Sequence, residues 1–91
     1  MATRTFWQLE RVIKGFANHR RLEIMELLRQ KPELSVEDIS EKLSIGYENA
    51  SDHLRKLAIA GLVAKRSDGK SVRHKLTPRA AHILTFCKTL E

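Results

Sequence analysis

Apolar residues recur at helical spacing from the start of the chain. Phe6, Leu9, Ile13 and Phe16 form one amphipathic stripe, and the pattern predicts a helix over about Thr3–Ala17. Trp7 and Val12 widen that stripe onto a second flank. A helix apolar on more than one side buries more than one side, which points to a partner surface. Asn18 is an N-cap for a second helix, about His19–Arg29, with Leu22, Met25 and Leu28 inward and Ile24 and Leu27 beside them. Pro32 stops it. Ser35 opens a third helix ending at Leu43, with Asp38 in the capping-box position and Ile39 and Leu43 inward. Gly46 permits the turn into a fourth helix, about Tyr47–Ala60, which faces inward through Ala50, Leu54 and Leu57. Gly61 ends it as a C-terminal cap.

The periodicity then changes. Leu62–Ser67 and Ser71–Leu76 read as two strands around Asp68-Gly69-Lys70, a strong hairpin signal. Thr77-Pro78 supplies a cap and a first-turn proline for a last helix reaching about Leu90. That helix is broadly apolar through Ile83, Leu84, Phe86, Cys87 and Leu90. The expected fold is mainly α with a small β-hairpin, one domain over residues 1–91, in the order four helices, hairpin, helix.

Composition bears on the partner. The chain has 91 residues with 17 Lys and Arg against 11 Asp and Glu, a net charge of +6, which favours a polyanion. Cys87 stands alone, so no disulfide framework or cysteine-rich metal site is expected. The N-terminal residues lack the apolar core of a signal peptide, and no apolar run approaches the roughly 20 residues of a membrane span. A cytoplasmic protein without membrane contact is expected.

A helix, a turn, a second helix and a basic ribbon, in that order, suit double-stranded DNA. The fourth helix turns Tyr47, Glu48, Ser51, Asp52 and Arg55 away from its apolar face, with Asn49 and His53 toward the sides. Such groups pair with base edges and phosphates. The hairpin carries Lys65, Arg66, Lys70, Arg73 and Lys75, with His74 beside them. Glu48 and Asp52 oppose the phosphate field and support the alternative, a winged-helix module that binds protein. The last helix offers His82, Cys87 and Glu91, but His82 and Cys87 fall on different faces, so no metal or other cofactor is expected. No glycine-rich phosphate loop or nucleophile–base pair supports an enzyme.

The run Phe16-Ala17-Asn18-His19-Arg20-Arg21-Leu22-Glu23-Ile24-Met25-Glu26-Leu27-Leu28 resembles the second-helix signature of ArsR-type winged helix-turn-helix repressors. So does Ser51-Asp52-His53-Leu54-Arg55-Lys56-Leu57, followed by Ala60-Gly61-Leu62-Val63. The hairpin and Leu76-Thr77-Pro78 resemble winged-helix regulators more broadly. The resemblance implies a homodimeric transcription regulator joined through its first and last helices, with the fourth helix in the major groove. By position it implies Tyr47, Asn49, Ser51 and Asp52 at or near the bases, and Arg55, Lys65, Arg66, Lys70 and Arg73 on phosphates. Asp52 departs from the basic or neutral polar residue that members commonly carry there. The metal-sensing cysteines of many relatives are missing from the third helix. The expected dimer surface comprises Phe6, Trp7, Leu9 and Ile13 with Ile83, Leu84 and Cys87. The operator and effector are not legible.

Overall fold

The computed structural model describes residues 4–91, so Thr3, the expected start of the first helix, lies outside the described residues. Five helices and one hairpin follow in the order α1 (Phe6–Phe16), α2 (His19–Gln30), α3 (Val36–Leu43), α4 (Tyr47–Ile59), β1 (Val63–Asp68), β2 (Ser71–Leu76) and α5 (Pro78–Lys88). Local chemistry sets most boundaries. Thr5 and Gln8 close a capping box on α1, which starts that helix later than its apolar spacing suggests. Asn18 Oδ1 accepts from the backbone N–H groups of Arg20 and Arg21 at 2.9 and 3.2 Å. Ser35 and Asp38 close a second box, each side chain accepting from the other's backbone N–H at 3.1 Å. Aspartate therefore does the work glutamate or glutamine usually does. Thr77 caps α5 and its hydroxyl also donates to Gly61 O at 2.8 Å, tying the helix start to the end of α4.

The core gathers around α2. Ile24, Met25 and Leu28 are buried against Ile39, Leu54, Leu57 and Leu62, with Ala80 and Leu84 closing one end. The inner stripe of α2 is thus rotated from the expected one: Ile24 is central and Leu22 only half-buried. The reason is that α2 packs against α3, α4, α5 and β2, so burial spreads beyond one narrow stripe.

The first helix behaves differently. No residue of α1 is fully buried. Phe16 packs against the core, but Phe6 is 90% and Ile13 51% exposed. The helix rests on α4 at one close crossing, where a Cβ on Gly15 would come within 2.5 Å of the Ala60 Cβ. Any larger residue at Gly15 pushes α1 off α4. Leu84 also differs from expectation. It lies in the core, because Ala80 and Leu84 form the inner stripe of α5 while Phe86 and Leu90 stay 60% and 70% exposed.

The hairpin pairs Val63 with Leu76 through to Asp68 with Ser71, leaving Gly69-Lys70 as a two-residue loop. Gly69 takes φ +63 and Lys70 does not share the positive φ, which fits a type II′ turn with glycine first. The strand therefore runs one residue further than the Asp-Gly signal suggests. The sequence pattern did not reveal an isolated bridge that joins the loop before α3 to the hairpin. Leu34 bridges His74 antiparallel, with Glu33 N–H donating to His74 O and His74 N–H to Leu34 O, both at 2.8 Å.

Candidate nucleic-acid interface

The junction between α3 and α4 is made by Ser44, Ile45 and Gly46. Ser44, not Gly46, takes the left-handed conformation, at φ 54. Gly46 is extended, at φ −62 and ψ 148, and serves as the N-cap of α4 without a side-chain hydrogen bond. Ser40 Oγ donates to Ile45 O at 2.6 Å, and Ile45 N–H donates to Ser40 O at 3.1 Å. These bonds pin the turn from its α3 side and fix the angle between the two helices.

The α4 face opposite Ala50, Leu54 and Leu57 carries the expected residues. Tyr47, Glu48, Asn49 and Arg55 are exposed, and Ser51 and Asp52 half-buried. Asp52 is not a bare negative charge. Arg55 donates to it at 2.6 Å and Lys56 Nζ lies 3.2 Å away. Those two bonds, Arg55 first, hold its carboxyl below the usual carboxylate range. The cluster of Asp52, Arg55 and Lys56 carries a net positive charge on the surface of α4. Glu48, by contrast, has no cationic partner among the described residues.

The hairpin's cations fall into two classes. Arg66 pairs with Glu33 at 2.7 Å, and Arg73 reaches Asp68 at 3.4 Å and Asp38 at 3.5 Å. Arg66 and Arg73 stand opposite each other across the ladder, so these acids also relieve like-charge repulsion. Asp38 thereby links the capping box of α3 to β2, and the Ser35 backbone N–H lowers its pKa more than Arg73 does. Lys65, Lys70 and Lys75 have no carboxylate partner among the described residues and are exposed.

His74 leaves the cationic set. It is 1% exposed, and its Nδ1 lies 2.9 Å from Leu34 O. Because Leu34 O can only accept, Nδ1 is the donor in this bond. Burial pushes its pKa down. The alternation of β2 accounts for this: Val72 is exposed near the tip, whereas His74 lies under Leu34 on the same face.

His53 is also structural in its contacts. Its Nδ1 accepts from Arg21 Nε at 3.2 Å, while Arg21 Nη1 donates to Lys14 O and Gly15 O at 3.1 and 3.2 Å. Arg21 thus joins the end of α1, the first turn of α2 and the middle of α4. Sequence reading could not find this, because the three segments are far apart along the chain.

Of the expected dimer residues, Phe6, Leu9 and Ile13 share one exposed face of α1. Trp7 points elsewhere and lines a cleft between α1 and the end of α4. Ile83 and Cys87 are half-buried on α5, between its inner stripe and the exposed Phe86 and Leu90. No helix among the described residues is long and apolar enough to cross a membrane.

Comparison with known proteins agrees with this architecture. Residues 18–65, spanning α2 through the first half of β1, match the sequence model of the bacterial regulatory protein, arsR family. The transcriptional activator HlyU of Vibrio cholerae is 36% identical over 66 residues, which are 72% of this chain and 60% of that protein. The aligned part thus spans less than two thirds of that relative's length. A solved structure of Vibrio cholerae HlyU superposes with a TM-score of 0.81 at 28% identity, covering 98% of this chain and 97% of that one. The homodimeric winged helix-turn-helix DNA-binding domain of Mb0332 from Mycobacterium bovis, a possible ArsR-family transcriptional regulator, superposes at 0.84 with 30% identity, covering 99% of this chain and 89% of that one. With the helix-turn-helix, the wing and the α2 signature all in place, the chain belongs to the ArsR family of bacterial regulatory proteins.

Proposed function

We propose that this chain is a homodimeric transcriptional regulator that binds double-stranded DNA in the cytoplasm. Helix α4 enters the major groove, presenting Tyr47, Asn49, Ser51 and Asp52 to the bases. Arg55 and the wing residues Lys65, Arg66, Lys70 and Arg73 take phosphates. One observation carries the reading: a polar α4 face, held at a pinned angle by the Ser40–Ile45 bonds, sits in the same fold as a wing whose three lysines lack carboxylate partners. The pairing of Asp52 with Arg55 and Lys56 supports it, since Asp52, unlike Glu48, meets DNA already neutralised. Arg66 and Arg73 then exchange Glu33 and Asp68 for phosphate oxygens on binding.

The dimer is proposed to form through Phe6, Leu9 and Ile13 of α1 with Phe86, Leu90, Ile83 and Cys87 of α5. Two-fold pairing sets two recognition helices about 34 Å apart, one turn of DNA, and selects a near-palindromic site. A gel shift against genomic fragments at low and moderate salt tests the reading. Enrichment of discrete fragments that survive moderate salt is expected. Binding absent at both salts would leave the protein-binding module in its place.

A further inference from the structure

The cleft beside Trp7 has a composition that DNA binding does not explain. It measures about 610 Å³ and opens between one face of α1, the end of α4 and the first turn of α5. Four guanidinium groups line it, those of Arg4, Arg11, Arg21 and Arg79. The chain's other arginines, Arg20, Arg29, Arg55, Arg66 and Arg73, each have a carboxylate partner. The four in the cleft have none among the described residues. Arg11 lies over the Trp7 ring, 5.0 Å from its centroid. Arg21 and Arg79 spend donors on main-chain carbonyls, of Lys14, Gly15 and Ala60. No Asp or Glu lines the cleft, whereas Trp7, Val12 and Ile59 give it apolar walls.

We propose that this cleft is a binding site for a small amphipathic organic anion, a carboxylate with an apolar body. The carboxylate pairs with the guanidinium groups in the bidentate manner they favour, and the apolar body lies on Trp7, Val12 and Ile59. A concave cleft with apolar walls offers little to a DNA backbone, which is convex and polar. The dimer surface does not compete for it. Helical spacing puts Trp7, Arg11 and Gly15 on roughly the opposite side of α1 from Phe6, Leu9 and Ile13. The cleft also touches the recognition helix, through Lys56 and through Arg21, which holds His53. A ligand that draws Lys56 from Asp52 changes the charge on α4. That regulatory consequence rests on the DNA-binding reading, but ligand binding itself does not.

Trp7 is the chain's single tryptophan and sits in the cleft, so it reports occupancy directly. Octanoate is titrated against the full chain, with octan-1-ol and octyltrimethylammonium as neutral and cationic controls, by Trp7 emission and by calorimetry. Saturable octanoate binding is expected, about tenfold or more tighter than octan-1-ol, with no binding of the cation. Replacing the exposed Arg4 and Arg11 together (Arg4→Gln, Arg11→Gln) should abolish that preference without altering the circular dichroism spectrum. Equal binding of octanoate and octan-1-ol, or an unchanged preference in the double variant, would overturn the proposal. So would loss of DNA affinity in that variant when the parent chain shows no saturable octanoate binding, because the arginines would then belong to DNA. Octanoate binding by a chain that fails to bind DNA would support the site and sink only its regulatory consequence.

Discussion

Arg21 donates from Nε to His53 Nδ1 at 3.2 Å, and this bond requires His53 to be unprotonated on that nitrogen. The same guanidinium holds the carbonyls that end α1. A charged His53 would face Arg21 with no acceptor to offer. Burial, and then the Arg21 charge, lower the His53 pKa from its ordinary value. Burial does the same to His74 under Leu34. Two histidines on different elements therefore favour the neutral ring in the folded chain.

A pH dependence of stability follows. Both folded pKa values lie below the unfolded value of about 6.5, so below that pH the unfolded chain binds more protons. Stability from these groups is complete above pH ~6.5 and falls as the pH drops through that value toward the folded pKa values. Urea melts at pH 7.5 and 5.5 should show the higher midpoint at pH 7.5. Glu26, held down to about 2 by Arg29 and Gln30, and the lowered Asp38 and Asp52 act below this window. His53→Asn and His74→Gln should each flatten the difference. Equal midpoints at the two pH values would mean that folding leaves the two histidine pKa values where they are in the unfolded chain.

The wing's lysines should carry sequence-independent affinity. Lys65 and Lys70 are exposed and free of carboxylates among the described residues, so phosphate contact breaks no internal pair. Each contact removed should reduce the log–log salt slope by roughly 0.9. Lys65→Ala with Lys70→Ala should weaken binding to specific and random DNA alike. Arg66→Ala should cost less, because Arg66 must first leave Glu33. An unchanged slope in the double lysine variant would take the wing off the DNA.

Asp52 should restrain non-specific binding. In Asp52→Asn, Arg55 and Lys56 lose their shared carboxylate and become available to phosphates. We expect random-sequence affinity to rise by about three- to tenfold at low salt and the gain to vanish at high salt. Discrimination among sites should fall in the same titrations. Random-sequence binding that is unaltered or weaker would place Asp52 away from the phosphates.

The helix order, the hairpin and the polar face of α4 were legible because each rests on local chemistry. Caps at Asn18, Ser35 and Thr77 and the left-handed Gly61 lie within a few residues of what they terminate. The misread features depend on contacts between distant segments. His74 reads as a wing cation until Leu34 is brought over it. The left-handed turn residue is Ser44, because the Ser40–Ile45 bonds supply what glycine would otherwise provide. Leu84 and Phe86 look equally apolar in the sequence, and only the packing of α5 on the core separates them. The unpaired arginines of the cleft were invisible for the same reason, since their common surroundings come from four helices.

The separation of Leu84 from Phe86 makes the dimer testable without unfolding the protomer. Phe6, Ile13, Phe86 and Leu90 are all at least half exposed, so their burial must come from outside the protomer if it comes at all. An apolar patch of this kind is rarely left open on a soluble monomer. We expect sedimentation at micromolar concentration to give about twice the chain mass of 10.5 kDa. Ile13→Glu with Phe86→Glu should return the single-chain mass while the circular dichroism spectrum stays that of the parent, because neither side chain supports the core. Leu84→Glu should instead destabilise the chain itself, since it places a carboxylate on the buried stripe of α5. Splitting the dimer should weaken binding to a two-half-site DNA by about 100-fold, as the second half-site no longer benefits from the first. It should leave binding to an isolated half-site nearly unchanged. A parent chain that sediments at 10.5 kDa throughout would end the dimer, and with it the expectation of a palindrome.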